Sequence, residues 1–201
     1  MLQAMEAHDL LGYNGARGYH LGPRFLRLAN RSLRELPMRD LARPVLTRLS
    51  ETTGESTQLY VRSADERVCI DAVESPSELR TIVAVGAALP LTKGSAGKLF
   101  LAWATPADRD RLTAGVEPAM HTRLGQQILI GRRRGWTESV GEREPGVASV
   151  SAPIVGTHDA LVAVISVSGP VSRLGRGGAK RHAAAVMAAA RDVERALGYQ
   201  A

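Results

Sequence analysis

One cysteine, Cys69, stands in the 201 residues, so no intramolecular disulfide can form and nothing points to an oxidising compartment. Aromatic residues make up only 4%, which leaves Ala, Val, Leu and Gly to build most of any core. No apolar run approaches the ~20 residues that a membrane-spanning helix needs. The opening residues, MLQAMEAHDLL, hold two acidic groups and no basic stretch, so a secretory signal is not expected there. These absences lead to the expectation of a cytoplasmic protein without a membrane partner.

Catalytic and metal signatures are equally sparse. The five histidines, at 8, 20, 121, 158 and 182, show neither HxxxH nor HExxH spacing, so no metal site is expected. Cys69 sits between Val68 and Ile70 with no accompanying His/Asp arrangement and reads as a buried, inert thiol. Glu142 and Glu144 flank Arg143 in a charged stretch and read as solvated rather than as an acid/base pair. Ser139, Ser149, Ser166 and Ser168 have no neighbouring general base, which suits hydrogen bonding to a ligand better than nucleophilic attack. The run TKGSAGK, Thr92 to Lys98, lacks the first Gly of a phosphate loop and has Leu99 where Ser or Thr belongs. What remains is a helix start of small residues, suited either to close packing or to receiving an anion on its free N–H groups. No enzyme and no cofactor is expected.

What is present is mostly a pattern of elements. Leu2 to His8 reads as the end of a helix. Leu10–Tyr13 and Gly18–Leu21 read as a hairpin around Asn14-Gly15. Leu21, Phe25, Leu28 and Leu36 recur at helical spacing and predict an amphipathic helix over 23–36. Met38–Thr53 follows as a second helix with Leu41, Val45 and Leu49 on one stripe, kinked or broken at Pro44 and ended by Gly54. Strands are predicted at Thr57–Arg62, Val68–Val73 and Leu79–Val85. Helices are predicted at Gly94–Ala104, from Thr105-Pro106, over Thr122–Arg134, and as a closing Ala-rich helix over Gly177–Leu197. The order implies an α+β fold with an antiparallel sheet flanked by helices.

The stretch from Gly135 to Pro170 carries the functional question. A charged loop leads into two apolar strands, Ala148–Val155 and Ala160–Val167, joined by the turn residues Gly156–Asp159. Side chains alternate along a strand, so Ser166 and Ser168 share one face and suggest a pocket wall with two hydroxyls. Charge adds a second hint. Residues 1–50 hold eight arginines against four acidic residues, which suits a DNA-facing segment ahead of a sensor and equally suits a solvated helix surface.

Five segments, in order, resemble the IclR family of bacterial transcriptional regulators. They are GYHLGPRFLRLA (18–29), LARPVLTRLSETTGES (41–56), LPLTKGSAGKLFLA (89–102), EREPGVASVSAPIVG (142–156) and VAVISVSGPVSRL (162–174). The resemblance implies a GAF-like effector-binding domain over 38–201, a linker helix over 23–37, and over 1–22 the remnant of a winged helix-turn-helix, comprising the end of its recognition helix and its wing. It also implies effector-binding positions at Leu89, Leu91, Ser95, Ala96, Ser139, Val147, Ser149, Ser166 and Ser168. Members that bind short oxo-acids carry Asp and Cys where this chain has Ser139 and Ser149, so that specificity does not transfer. Without an acidic group there, a small anionic effector is the expectation. The implied partners are that small molecule, a second copy or three further copies of the chain, and promoter DNA where a complete helix-turn-helix is present. The alternative is a stand-alone metabolite-binding module without sequence-specific DNA binding.

Overall fold

The computed structural model describes residues 1–34, 37–175 and 177–199, so the expected end of the linker helix at Glu35 and Leu36 lies outside the described residues. The chain forms two compact units, Met1–Asp40 and Leu41–Ala201. The first contains α1 (Leu2–Ala7), the antiparallel hairpin of β1 (Leu11–Asn14) and β2 (Gly18–Leu21), and α2 (Pro23–Arg34). Asn14 pairs with Gly18 and closes a three-residue loop, its Oδ1 accepting from the Ala16 N–H at 3.2 Å. Gly18 supplies the left-handed φ of 75° that this loop length needs. The Tyr13 and Tyr19 rings meet across the strands, their centroids 5.0 Å apart.

The second unit is built on a six-stranded antiparallel sheet in the order β5-β4-β3-β8-β7-β6. Its strands are β3 (Ser56–Ser63), β4 (Glu66–Val73), β5 (Ala88–Pro90), β6 (Thr137–Val140), β7 (Val147–Val155) and β8 (Leu161–Pro170). Helices α3 (Pro37–Thr53), α4 (Ser95–Trp103), α5 (Pro106–Thr113), α6 (Pro118–Arg134), the single turn α7 (Val171–Leu174) and α8 (Gly178–Ala196) complete the order. Thr105 caps α5 by accepting from the Asp108 N–H at 3.2 Å, with Pro106 in the first turn. The fold is α+β.

Several local expectations change. Pro44 lies inside one continuous α3. Leu41 is exposed there, and Ala42, Val45, Leu46 and Leu49 form the buried stripe instead. Leu79–Val85 is not a strand: it runs without a ladder, and the chain rejoins β4 first at Cys69, which bonds to Gly86 and Ala87, and then through β5. The charged stretch after Gly135 contributes a genuine strand, β6, paired along β7.

The β7–β8 hairpin fixes what each face of the sheet does. On one face Val150, Ile154, Ile165 and Val167 are fully buried, where α8 packs with Val186, Ala190 and Val193. The other face lies under α4 and holds the serines. Removing three methylene-scale groups from the dry face should cost about 2–5 kcal/mol. Ile165→Ala is therefore expected to lower the unfolding free energy read from urea titration by that amount; a variant as stable as the parent would mean that Ile165 is not part of the core.

Candidate functional site

Two polar rows cross the α4 side of the sheet. Gln58, Ser166, Ser151 and Thr137 are successive ladder partners on β3, β8, β7 and β6, and Ser56, Ser168, Ser149 and Ser139 form the adjacent row. Helix α4 begins directly above them. Ser95 Oγ lies 2.7 Å from Ser149 Oγ and 2.6 Å from Ser151 Oγ, while Thr137 Oγ1 donates to the Ser95 carbonyl at 2.7 Å. Ser151 and Ser166 hydroxyls are 2.5 Å apart, and Ser168 donates to Gln58 Oε1 at 3.1 Å.

Between the rows and the start of α4 is a cavity of about 390 Å³, its open mouth included. Its lining is Gln58, Tyr60, Arg67, Val83, Gly94, Ser95, Ala96, Ser139, Arg143, Val147, Ser149, Ser166 and Ser168. Of the nine positions implied by resemblance, Ser95, Ala96, Ser139, Val147, Ser149, Ser166 and Ser168 line it. Leu89 and Leu91 do not. Leu91 is buried in the apolar cluster with Leu99 and Phe100, and Leu89 packs against the same cluster. Their contribution is indirect, since they flank Pro90, whose carbonyl accepts from Arg67 Nη1.

Arg67 is the residue that local patterns did not reveal. It is 3% exposed, and its Nε–H has no partner among the described residues. Burial first, then repulsion from Arg143, pushes its pKa down to about 10, which still leaves it charged at neutral pH. The Tyr60 ring lies beneath it, 5.5 Å from ring centroid to Cζ. Among the described lining residues two are guanidinium groups and none is a carboxylate. A signal was present in the alternation of β4, which puts Arg67, Cys69 and Asp71 on one side of the strand while Val68, Ile70 and Ala72 take the other. Gln58, Tyr60 and Val83 had no such signal.

The small residues at the start of α4 serve packing and cavity together. A Cβ on Gly97 would lie 2.1 Å from the Leu91 carbonyl oxygen and 3.0 Å from Arg67 Nη1. Gly94 has φ 84°, and a Cβ there would lie 3.0 Å from Arg67 Nη2. Ser95 and Ala96, by contrast, turn toward the cavity.

Glu142 is not the solvated group that its charged surroundings suggest. Its Oε1 accepts from Lys98 Nζ at 2.5 Å, and its Oε2 accepts from the Gly94 N–H at 3.3 Å. Lys98, only 1% exposed, also donates to the Glu138 carbonyl at 2.8 Å. Burial lowers the Lys98 pKa, opposed by the Glu142 charge. The pair ties the loop that carries Arg143 to the beginning of α4. Cys69 is buried, with its thiol pushed up to about 12, chiefly by burial, as an inert core thiol should be. Among the described residues, no group of His, Cys, Asp and Glu could hold a metal ion, and no helix is long and apolar enough to cross a membrane.

Residues 30–195 match the family model described as bacterial transcriptional regulator IclR, C-terminal. The chain belongs to the IclR family. The glycerol operon regulatory protein of Streptomyces coelicolor is 30% identical over 210 residues, covering 98% of this chain and 82% of that protein. A solved IclR transcriptional regulator from a Silicibacter species superposes with a TM-score of 0.85 at 25% identity, covering 99% of this chain and 82% of the other. An IclR homologue from Microbacterium hydrocarbonoxydans, solved in complex with 4-hydroxybenzoate, shares the fold with a TM-score of 0.80 at 21% identity, covering 99% and 84%. The Streptomyces relative is an operon regulatory protein and the Silicibacter relative a transcriptional regulator.

Replacing the buried ammonium while keeping the stem length tests the loop anchor. Lys98→Met leaves Glu142 free to turn to water and should lower stability by about 1–3 kcal/mol. Urea unfolding reads this directly, and an unchanged midpoint would show that the pair does not hold the loop.

Proposed function

We propose that this IclR-family chain senses a small anionic metabolite in the cavity beneath α4, and that the carboxylate-free pair Arg67 and Arg143 receives the anion. The single observation that carries this reading is the burial of Arg67 with an unpartnered Nε–H and no acidic neighbour in the lining. A buried cation without a counter-charge costs stability unless something compensates it, and a bound carboxylate does so. The free N–H groups of Ser95 and Ala96 at the helix start add to the attraction. The small aromatic acid bound to the Microbacterium homologue has the same charge character.

On this reading residues 38–201 form the effector domain, 23–37 the linker and 1–22 part of a DNA-binding unit. The effector favours one arrangement of the sensor, and its differential affinity sets the size of the response. Paired operator half-sites would require at least a dimer. Titration calorimetry on a carboxylic acid and its amide decides the anion claim. The acid should bind at least about tenfold better, and Arg67→Met should remove that preference. Equal binding of acid and amide by the parent chain would end the reading. The double change Ser166→Ala, Ser168→Ala should weaken binding by about 1–3 kcal/mol. Unchanged affinity would take both hydroxyls out of the ligand's reach.

A further inference from the structure

Three of the five serines that line the cavity, Ser95, Ser149 and Ser166, look like separate donors, but a proton count says otherwise. Ser149, Ser95, Ser151 and Ser166 are joined in series by three hydroxyl–hydroxyl hydrogen bonds of 2.7, 2.6 and 2.5 Å. Each hydroxyl owns one proton. Three of the four protons are used within the chain, so one is left over. Ser151 is fully buried and does not line the cavity, so a leftover proton there would be wasted between two neighbours that both donate to it. The spare proton is therefore shown to the cavity at Ser149, at Ser95 or at Ser166, and never at two of them together. When Ser149 donates, Ser166 offers only lone pairs. When Ser166 donates, Ser149 does the same.

We propose that these four hydroxyls act as one switchable donor, and that Ser151 is a specificity-determining residue because it couples the two ends. The assignment rests on the anion-sensing reading and narrows its ligand class. An anion accepting at the Ser149 and Ser95 end of the cavity turns Ser166 into an acceptor. The preferred ligand then carries a hydrogen-bond donor at its other end, as a small hydroxy acid does. A dicarboxylate of the same length is disfavoured, since its second carboxylate meets oxygen lone pairs. Ser149 and Ser166 are diagonal neighbours across the β7–β8 ladder, a spacing of roughly 7 Å that a four-carbon chain can bridge.

Cutting the chain at Ser151 makes the counterintuitive prediction. In Ser151→Ala the Ser149–Ser95 pair keeps one spare proton and Ser166 recovers its own, so both ends can donate at once. Calorimetry on the full chain would use 4-hydroxybutanoate, butanedioate and butanoate at pH 7.5. The parent should prefer 4-hydroxybutanoate to butanedioate by about tenfold or more. Ser151→Ala should bind butanedioate more tightly than the parent does, and Ser151→Thr, which restores the hydroxyl, should restore the preference. Equal weakening of both ligands in Ser151→Ala, or no preference in the parent, overturns the coupling while leaving anion sensing intact. Failure of all three acids to bind counts against the anion reading instead. The proton count is then decided without ligand, by neutron diffraction on the deuterated protein. One outward-pointing deuteron among Ser149, Ser95 and Ser166 supports the coupling, and two or more overturn it.

Discussion

A guanidinium taken out of water is the constraint around which the site is organised. Arg67 finds a carbonyl at Pro90 and a ring face at Tyr60, and its Nε–H has no partner among the described residues. Its position explains features that look unrelated along the chain. Gly94 and Gly97 lack side chains where the two Nη atoms approach, and the second glycine also admits the Leu91 carbonyl. The Glu142 carboxylate reaches the start of α4, where it would oppose an incoming anion, but Lys98 neutralises it and holds it on the Gly94 N–H. The N–H groups of Ser95 and Ala96 are left to the cavity. An acid close to the site has become part of the scaffold.

Signals that reside within a few residues were readable from the chain. The cap at Thr105, the Ala-rich stripe of α8, and the inward serines of β8 follow from spacing alone. Two kinds of feature were not. Leu79–Val85 has the composition of a strand, yet a strand needs a ladder partner, and the chain pairs with β4 only from Gly86 onward, at Cys69 and through the short β5. Half of the cavity was hidden for a related reason. Gln58 and Ser168 are bonded across 110 residues of sequence, and only the register of β3 on β8 brings them together. Local alternation could mark Arg67 as an unusual inward charge on β4, but could not say what it faced.

The two faces of the β7–β8 hairpin divide the labour between stability and recognition. Val150, Ile154, Ile165 and Val167 give a dry interface beneath α8, so the opposite face can carry two rows of polar groups without unfolding the sheet. Ser151 bonds to Ser166 and Ser168 to Gln58 within the rows, and Ser149, Ser151 and Thr137 bond to Ser95 above them. Serine suits this role because its hydroxyl both donates and accepts, adds little volume, and reorients without moving the backbone.

The same reasoning explains what Ser139 does by not being an acid. A carboxylate at that position would line the cavity with Arg67 and Arg143, and in the absence of ligand it would pair with them. The cations would then be compensated internally, and an anion would have to displace an existing salt bridge to bind. A hydroxyl carries no charge and cannot do this, so the lining holds two guanidinium groups and no carboxylate among its described residues. On the anion-sensing reading, a serine at this position leaves a polar site whose stability depends on its occupant. That dependence is what a sensor requires, because only an occupant that changes the free energy of its own pocket can shift the equilibrium between two arrangements of the domain.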